Sequence, residues 1–245
     1  MSALVLVTAA AGAGERNPII VWSAHHETGD LSEWTIDGLG GEYDTRSGDA
    51  TVTNAVAYRG RFALALSIRD ANGETGSQAT RMFRWGYAGR PLPQAAYYGA
   101  WFYFPRRWEP SVYWNIMQWK TKVSPTATLP VMTLNVGSRS GRMFLYLYDH
   151  VRDVNAGRAP IELRPRRWTH IQAYYRFAPD ATGRVVLYQD DRKIITADGV
   201  ETELPSTEVY ARQWSINNYT NGLSPSSATI YIDDAAISLR RIGNR

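Results

Sequence analysis

A two-residue alternation of apolar and polar side chains runs through this chain, and that spacing is typical of half-buried β-strands. From residue 19 onward, short segments rich in β-branched and aromatic residues follow one another, separated by glycine, proline, asparagine and aspartate. No window of about 11 residues carries the apolar stripe of an amphipathic helix. The segments predicted as strands are 50–54, 62–68, 97–104, 113–121, 131–136, 142–148, 168–177, 184–189, 214–219 and 228–238.

Short turns join these segments, and neither a linker nor an internal repeat separates them. A chain of many short strands buries its apolar faces by stacking two sheets. Residues 178–183 (APDATG) predict a turn between two strands, and residues 190–192 (DDR) predict a tight hairpin. The sequence therefore predicts an all-β sandwich that forms a single domain over residues 19–245.

The first residues of the chain have a different character. Residues 1–14 (MSALVLVTAAAGAG) form an apolar run that ends in small residues, as a secretory signal does, but they lack its positively charged start. The run is too short to span a membrane, which takes about 20 apolar residues. We therefore expect residues 1–18 to be a signal-peptide remnant or a disordered N-terminus. The protein is expected to be secreted, extracellular or periplasmic, without a membrane partner.

Composition excludes several kinds of site. The chain has no cysteine, which rules out a disulfide scaffold, a thiolate zinc site and a cysteine nucleophile. Its net charge of +4 is spread along the chain without a basic block, so no nucleic-acid partner is expected. Nine tryptophans, 15 tyrosines and six phenylalanines are the unusual part of the composition. Aromatic rings can stack on sugar rings, so this content points to a carbohydrate ligand.

Two predicted strands carry aromatic, amide and cationic side chains where a solvent-facing strand ordinarily carries Thr, Lys, Glu and Ser. In residues 113–121, strict alternation predicts one face with Trp114, Ile116, Gln118 and Lys120 and the other with Tyr113, Asn115, Met117 and Trp119. In residues 168–177, it predicts a polar face with His170, Gln172, Tyr174 and Arg176. Such faces are typical of a carbohydrate-binding groove. The alternative is a sheet buried on both sides, whose polar groups pair internally.

Four segments resemble a known family: His26–Trp34 (HETGDLSEW), Arg167–Ile171 (RWTHI), Asp180–Tyr188 (DATGRVVLY) and Ile230–Asp234 (IYIDD). Together they are similar to the concanavalin A-like β-jelly-roll polysaccharide lyases, the group of heparin lyase I-like, glucuronan and alginate lyases. The resemblance covers nearly the whole chain after residue 19. It implies a β-jelly-roll sandwich of two antiparallel sheets with a concave groove. The opening and closing segments also occur in non-catalytic carbohydrate-binding modules of the same fold, which is the alternative function.

The resemblance implies cleavage of an anionic, uronic-acid-containing polysaccharide by β-elimination. That reaction needs a group that neutralises the uronate carboxylate, a base for the proton beside it and an acid for the departing oxygen. For the first role the candidates are Arg81 and Gln118, and for the base His170 and Lys120. Lys120 stands where jelly-roll alginate lyases have histidine. The candidate acids are Tyr146 and Tyr219, and the expected substrate-binding residues are Trp101, Trp114, Asn135, Tyr148, Gln172, Tyr174 and Asn217.

Two acidic positions form a further candidate site. In the resembling folds the first and last strands meet at a structural calcium ion, and carboxylates such as Glu27 and Asp233 suit that ion. The alternative is a pair of capped turns. No cofactor is expected for catalysis, and the protein is expected to be a monomer.

A glycoside hydrolase of this fold needs a pair of carboxylates on the groove strands. Glu162, Asp190 and Glu201 all fall in predicted loops, so the sequence does not favour a hydrolase.

Overall fold

The computed structural model describes residues 18–73, 76–86, 91–208 and 210–243, and these residues are almost entirely β-structure. The strands, in chain order, are β1 (Ile20–Ala24), β2 (Gly40–Asp44), β3 (Gly48–Thr53), β4 (Ala63–Ile68), β5 (Gln78–Trp85), β6 (Ala95–Tyr103), β7 (Glu109–Pro110), β8 (Trp114–Ser124), β9 (Ala127–Arg139), β10 (Arg142–Asp149), β11 (Val154–Arg158), β12 (Trp168–Arg176), β13 (Gly183–Gln189), β14 (Arg192–Val200), β15 (Arg212–Thr220), β16 (Leu223–Ser224) and β17 (Ala228–Ser238). A one-turn helix, α1 (Ser32–Thr35), follows β1.

Two large antiparallel sheets form the molecule. The first has the order β14-β13-β12-β6-β17-β4-β3, with β1 paired to β17, and the second has the order β11-β10-β9-β8-β15-β5-β2. The short strands β7 and β16 pair with each other outside these sheets. The predicted all-β sandwich of two antiparallel sheets is confirmed.

Aromatic side chains join the two sheets across the core. Trp119 of β8 stacks on Tyr175 of β12 with ring centroids 4.7 Å apart, and Trp214 of β15 contacts Tyr98 of β6 at 5.5 Å. All four side chains are fully buried. Burial of large aromatic rings supplies much of the hydrophobic free energy of such a core.

One buried asparagine also links the sheets. The side-chain amide of Asn218 on β15 donates to the carbonyls of Leu66 and Ala228, each at 3.0 Å, and both acceptors belong to the first sheet. Its carbonyl oxygen accepts from the indole nitrogen of Trp114 at 2.8 Å. Because both amide protons and the oxygen have partners, this polar side chain fits inside an apolar core.

A β-bulge interrupts the alternation of β8. Asn115 and Gln118 both pair with groove-facing neighbours, although they are three positions apart and strict alternation would put them on opposite faces. Ile116 and Met117 are both fully buried between them. The side-chain amide of Asn115 donates to the carbonyl of Met117 at 3.1 Å and so satisfies a group inside the bulge. The strict alternation predicted for residues 113–121 is therefore wrong: Tyr113, Asn115, Gln118 and Lys120 share one face, and Trp114 and Trp119 are buried on the other.

The predicted strand 228–238 coincides with β17, and the turns at 178–183 and 190–192 join β12 to β13 and β13 to β14. Asp190 and Asp191 have φ angles of 48° and 64°, as a tight hairpin turn requires. The predicted signal-peptide remnant lies almost wholly in residues 1–17, outside the described residues. No helix in the described ranges is long and apolar enough to cross a membrane.

Candidate active site

A groove of about 1060 Å³ lies on the face of the second sheet that points away from the core. It crosses β5, β15, β8, β9, β10 and β11, so its length runs across the strands. Alternation along the strands sends every second side chain into it, except at the bulge in β8. Among its lining residues are Arg81, Tyr113, Asn115, Gln118, Lys120, Thr133, Asn135, Phe144, Tyr146, Tyr148, His150, Arg158 and Tyr219.

Arg81 lies at one end of the groove, near the middle of β5. Its guanidinium carbon is 4.4 Å from the ring centroid of Tyr43 and 5.3 Å from that of Tyr219. The side chain is buried, and loss of solvation lowers the pKa of the guanidinium. Within the described parts of the chain it has no carboxylate partner, and its Nε has no hydrogen-bond acceptor. A buried charge without a partner is costly, and a bound anion would supply the missing one.

Amide and hydroxyl groups lie beside Arg81 at the same end of the groove. Asn217, which pairs with Arg81 across the ladder, donates its side-chain amide to Asn115. Gln118 and Ser215 face each other on β8 and β15. The Oε1 of Gln118, the Oγ of Ser215 and the Oδ1 of Asn217 are buried without a hydrogen-bond partner among the described residues. Buried polar atoms normally have partners, so these three indicate a place for a polar ligand.

Lys120 follows Gln118 on the same face of β8. It is half-buried, and loss of solvation together with the charge of Arg81 lowers the pKa of its amine to about 8. His150 lies at the exposed rim, where its Nε2 is 3.1 Å from the Oγ1 of Thr133. Partial loss of solvation lowers the pKa of His150, and Lys120 adds to that shift. Both groups are thus biased towards their neutral, proton-accepting forms.

Two tyrosines of β10 point into the groove beyond Lys120. Burial raises the pKa of Tyr146 to about 12, so its hydroxyl keeps its proton at neutral pH. The hydroxyl of Tyr148 donates to Asp153. Asp153 is the one carboxylate among the described lining residues.

Several residues predicted for the site lie on the other sheet. His170, Gln172 and Tyr174 belong to β12, where Ile171, Ala173 and Tyr175 face the core, so the predicted polar face points to the outside of the first sheet. Trp101 of β6 faces the same way and stacks on both Tyr58 and His170, at 3.8 and 5.0 Å. The oxygen of Gln172 accepts from the backbone nitrogen of Ile242 at 3.3 Å.

The placement of these four residues in one groove with Arg81 is therefore wrong. The alternation predicted for β12 is correct, but its polar face belongs to the first sheet, and the groove lies on the second. Trp114 is also outside the groove, because its indole lies between the sheets and donates to Asn218. The other predicted residues, Arg81, Gln118, Lys120, Asn135, Tyr146, Tyr148 and Tyr219, do line the groove, and Asn217 lies beside Arg81.

The acidic residues predicted to bind calcium hold a loop in place. The carboxylate of Glu27 accepts from the backbone nitrogens of Arg61 and Phe62, at 2.9 and 3.1 Å for one oxygen. Asp233 accepts from the backbone nitrogens of Tyr58 and Arg59 at 2.9 and 3.1 Å. These carboxylates face N–H donors, whereas Ca²⁺ needs their oxygens for itself. Across the described ranges, no cluster of three or more metal-ligating side chains occurs. Carboxylates held by N–H donors in this way do not fit a calcium ion. Calcium binding itself is untested and stays a prediction.

Sequence reasoning did not place Tyr43, Phe144, Arg158 or His150 in the site. A signal for two of them was present, because the alternation of Tyr146 and Tyr148 extends to Phe144 on one side and to His150 on the other. Tyr43 and Arg158 belong to the edge strands β2 and β11, whose short polar sequences show no alternation.

A family model described as polysaccharide lyase matches residues 26–236 of the chain. Among solved structures, the chain is similar to the endo-β-1,4-glucuronan lyase from the fungus Trichoderma reesei, with a TM-score of 0.63 and 15% identity over 83% of this chain and 92% of that one. The cellulose-induced protein Cip1 has a TM-score of 0.60 and 14% identity, covering 91% and 99%. An alginate lyase from the marine Aplysia kurodai has a TM-score of 0.60 and 11% identity, covering 89% and 98%. Identities this low show a shared fold. A comparison with curated protein sequences gave no match.

Proposed function

Because the chain belongs to the polysaccharide lyase family, which its residues 26–236 match, we propose that it cleaves a uronic-acid-containing polysaccharide by β-elimination in the groove of the second sheet. The enzyme class, polysaccharide lyase, follows from the family. The uronate, the elimination mechanism and the groove residues are the proposal. An extracellular or periplasmic location belongs to it as well, since polymers of this kind lie outside cells.

The observation that carries the proposal is the buried Arg81 without a carboxylate partner in the described residues. In β-elimination the uronate carboxylate gains negative charge as the proton on the neighbouring carbon leaves. A fixed guanidinium between two rings donates to that carboxylate and stabilises the charge as it develops. The unpaired groups of Gln118 and Asn217 supply further polar contacts at the same point.

In the proposed reaction, Lys120 is the base that takes the proton. A lysine accepts a proton only as a neutral amine, and a pKa of about 8 makes that form accessible near neutral pH. A groove tyrosine, Tyr146 or Tyr219, gives its hydroxyl proton to the departing O4 oxygen. The bond between O4 and its sugar carbon breaks, and a double bond forms between that carbon and the one that lost the proton.

The lining residues speak against hydrolysis in the same groove. Glycosidases of the common type need two carboxylic groups about 5–10 Å apart. Among the described lining residues Asp153 is the one carboxylate, and it accepts a hydrogen bond from Tyr148.

The test is the absorbance of the unsaturated uronate, which only an elimination produces. Purified protein is incubated in parallel with glucuronan, alginate, heparin, heparan sulfate, pectate and ulvan. We expect a rise with at least one polymer, and a loss of about 10²–10³ in kcat for Arg81→Ala, the cost of removing one charge-stabilising donor.

Arg176→Ala is the matched control, because Arg176 is an exposed arginine at the end of β12 on the other sheet. It is expected to retain wild-type activity. A flat absorbance with every polymer, together with retardation in a gel that contains one of them, would instead identify a carbohydrate-binding protein. Equal activity of Arg81→Ala and the wild type would remove Arg81 from the mechanism.

A further inference from the structure

The groove has a second arginine at the end opposite Arg81. Arg158 is the last residue of β11, and its guanidinium carbon is 3.7 Å from the ring centroid of Phe144 on β10. The side chain is exposed and forms no ion pair with any described residue. A planar guanidinium stacked on a ring is held in one orientation, and its edge remains free to donate.

The position of Phe144 is itself fixed by its neighbour on β9. Phe144 lies directly opposite Gly137 in the ladder, and a Cβ at Gly137 would lie 2.5 Å from the Cζ of Phe144. The ring thus occupies the space that any other residue at position 137 would fill. Gly137, Phe144 and Arg158 form a stack across three adjacent strands, which we call the Arg158 platform.

The platform and Arg81 lie on the same groove at its two ends. A row of directly paired residues connects them, in the order Arg158, Tyr146, Asn135, Asn115 and Tyr219, with Arg81 on the next strand. Five inter-strand steps of about 4.8 Å separate β11 from β5, or roughly 24 Å along the sheet. That distance spans several sugar residues of an extended polysaccharide.

We propose that the Arg158 platform is a second carboxylate-binding subsite, which holds a uronate several residues away from the one bound at Arg81. This inference rests on the proposed function. The inference makes the proposed function more specific, because a groove with a carboxylate site at each end selects a polyuronate, whose sugars carry carboxylates along the chain. Arg158 is a positioning residue: it touches the polymer but not the reacting sugar.

The test compares long and short substrates. With Arg158→Ala we expect kcat/KM on the polymer to fall about tenfold or more, mainly through KM, since a charge-assisted hydrogen bond is lost. Oligosaccharides too short to reach from Arg81 to β11 should be cleaved at the wild-type rate. Phe144→Leu should reproduce the effect by removing the ring, and Arg158→Lys should recover only part of the binding because ammonium lacks the planar fork.

Arg176→Ala serves as the control for loss of one exposed arginine, and thermal unfolding of each variant checks the fold. Loss of equal size on long and short substrates, or no loss on either, would overturn the subsite.

A binding measurement separates this inference from the proposed function. Affinity electrophoresis of wild type and Arg158→Ala is run in a polyuronate, in the same polymer with its carboxyls reduced to alcohols, and in a sulfated polysaccharide. A difference between the two proteins in the polyuronate alone supports the subsite, even if no polymer is cleaved. A difference that persists in the carboxyl-reduced polymer, or that appears only in the sulfated one, contradicts it.

Discussion

At the scale of single residues, the groove holds two cations in different situations. Arg81 lies between two rings and keeps its charge, whereas Lys120 is desolvated and lies near that charge. The first effect fixes a cation for a carboxylate, and the second makes a neutral amine available. In the proposed reaction one arginine would thus serve both halves of the proton abstraction, because it would bind the uronate carboxylate and it favours the neutral form of the base.

The pH profile tests the role of Lys120. In the wild type, kcat/KM is expected to rise with pH and to level off above an apparent pKa of about 8, since the protonated amine cannot accept a proton. Tyr146, with a pKa of about 12, stays protonated throughout that range. Lys120→Gln is expected to lose this rising limb and to lower kcat by about 10²–10⁴.

His150→Gln is the companion variant in the same profile. If the rise occurs below pH 6.5, survives in Lys120→Gln and disappears in His150→Gln, the base is His150, whose pKa is lowered from 6.5.

The sequence predicted which kinds of side chain form the site better than it predicted where each residue lies. Arg81, Gln118 and Lys120 stand out because the chemistry of a uronate asks for such side chains, and all three line the groove. His170 fits the same chemistry and lies on the outside of the other sheet. Alternation tells which residues share a face of a strand. Each sheet of a sandwich has one face that points away from the core, so alternation does not tell which of the two sheets carries the groove.

At the scale of strands, Asn218 connects β15 to both β4 and β17 of the opposite sheet. Asn217 and Tyr219, its neighbours on either side, face the groove. The hydrogen bonds of Asn218 therefore attach β15 to the opposite sheet at the point where Arg81 lies beside it.

Asn218→Ala is expected to lower the free energy of unfolding by roughly 2–4 kcal/mol, because it removes the acceptor of the buried Trp114 indole and one donor from each of two buried carbonyls. Urea denaturation followed by tryptophan fluorescence measures the change. Asn54→Ala, which removes an exposed asparagine, is the control. A loss no larger than the control's would mean that water or another group replaces the bonds.

Most of the long strands were predictable from the sequence, whereas β2, β5 and β11 were not. The sequences of β2 and β11, GGEYD and VNAGR, are short and polar and lack alternation. In β5 both Arg81 and Met82 are buried, one on the groove face and one in the core, so the contrast between faces disappears.

At the scale of the whole molecule, the groove is assembled from distant parts of the chain. Arg81, Gln118 and Asn217 are brought together because β15 pairs with β5 on one side and with β8 on the other. These pairings join segments roughly 100 to 140 residues apart, and no local pattern specifies them. The fold class was therefore readable from the sequence, whereas the neighbours of each strand were not.

A pair of carboxyls on β2 links the stability of the molecule to pH. The side-chain hydrogen bond with Asp44 raises the pKa of Glu42 from 4.5 to about 7, and a partial loss of solvation at this largely exposed carboxyl adds to the shift. Between these values the folded chain holds a proton that the unfolded chain releases, so stability falls as pH rises through that window.

Glu42→Gln is expected to raise Tm at pH 8 by roughly 1–3 °C, a small effect because the group is exposed and screened. At pH 4, where the carboxyl is protonated in both states, Tm should be unchanged. Glu109→Gln, which removes an exposed carboxylate elsewhere, is the control. An equal gain at both pH values would attribute the effect to packing of the amide.

The bulge in β8 determines which side chains after it face the groove. Between Asn115 and Gln118 the strand contains one residue more than alternation allows, and every side chain after that point is out of phase with those before it. Deleting Ile116 would remove the extra residue: strict alternation would then place Asn115, Gln118 and Lys120 in the groove and Met117 and Trp119 in the core, as they are now, without a bulge. At its present length the strand therefore needs the bulge to present Gln118 and Lys120 to the groove, whereas a gene shorter by that one codon would encode the same groove wall on a regular strand.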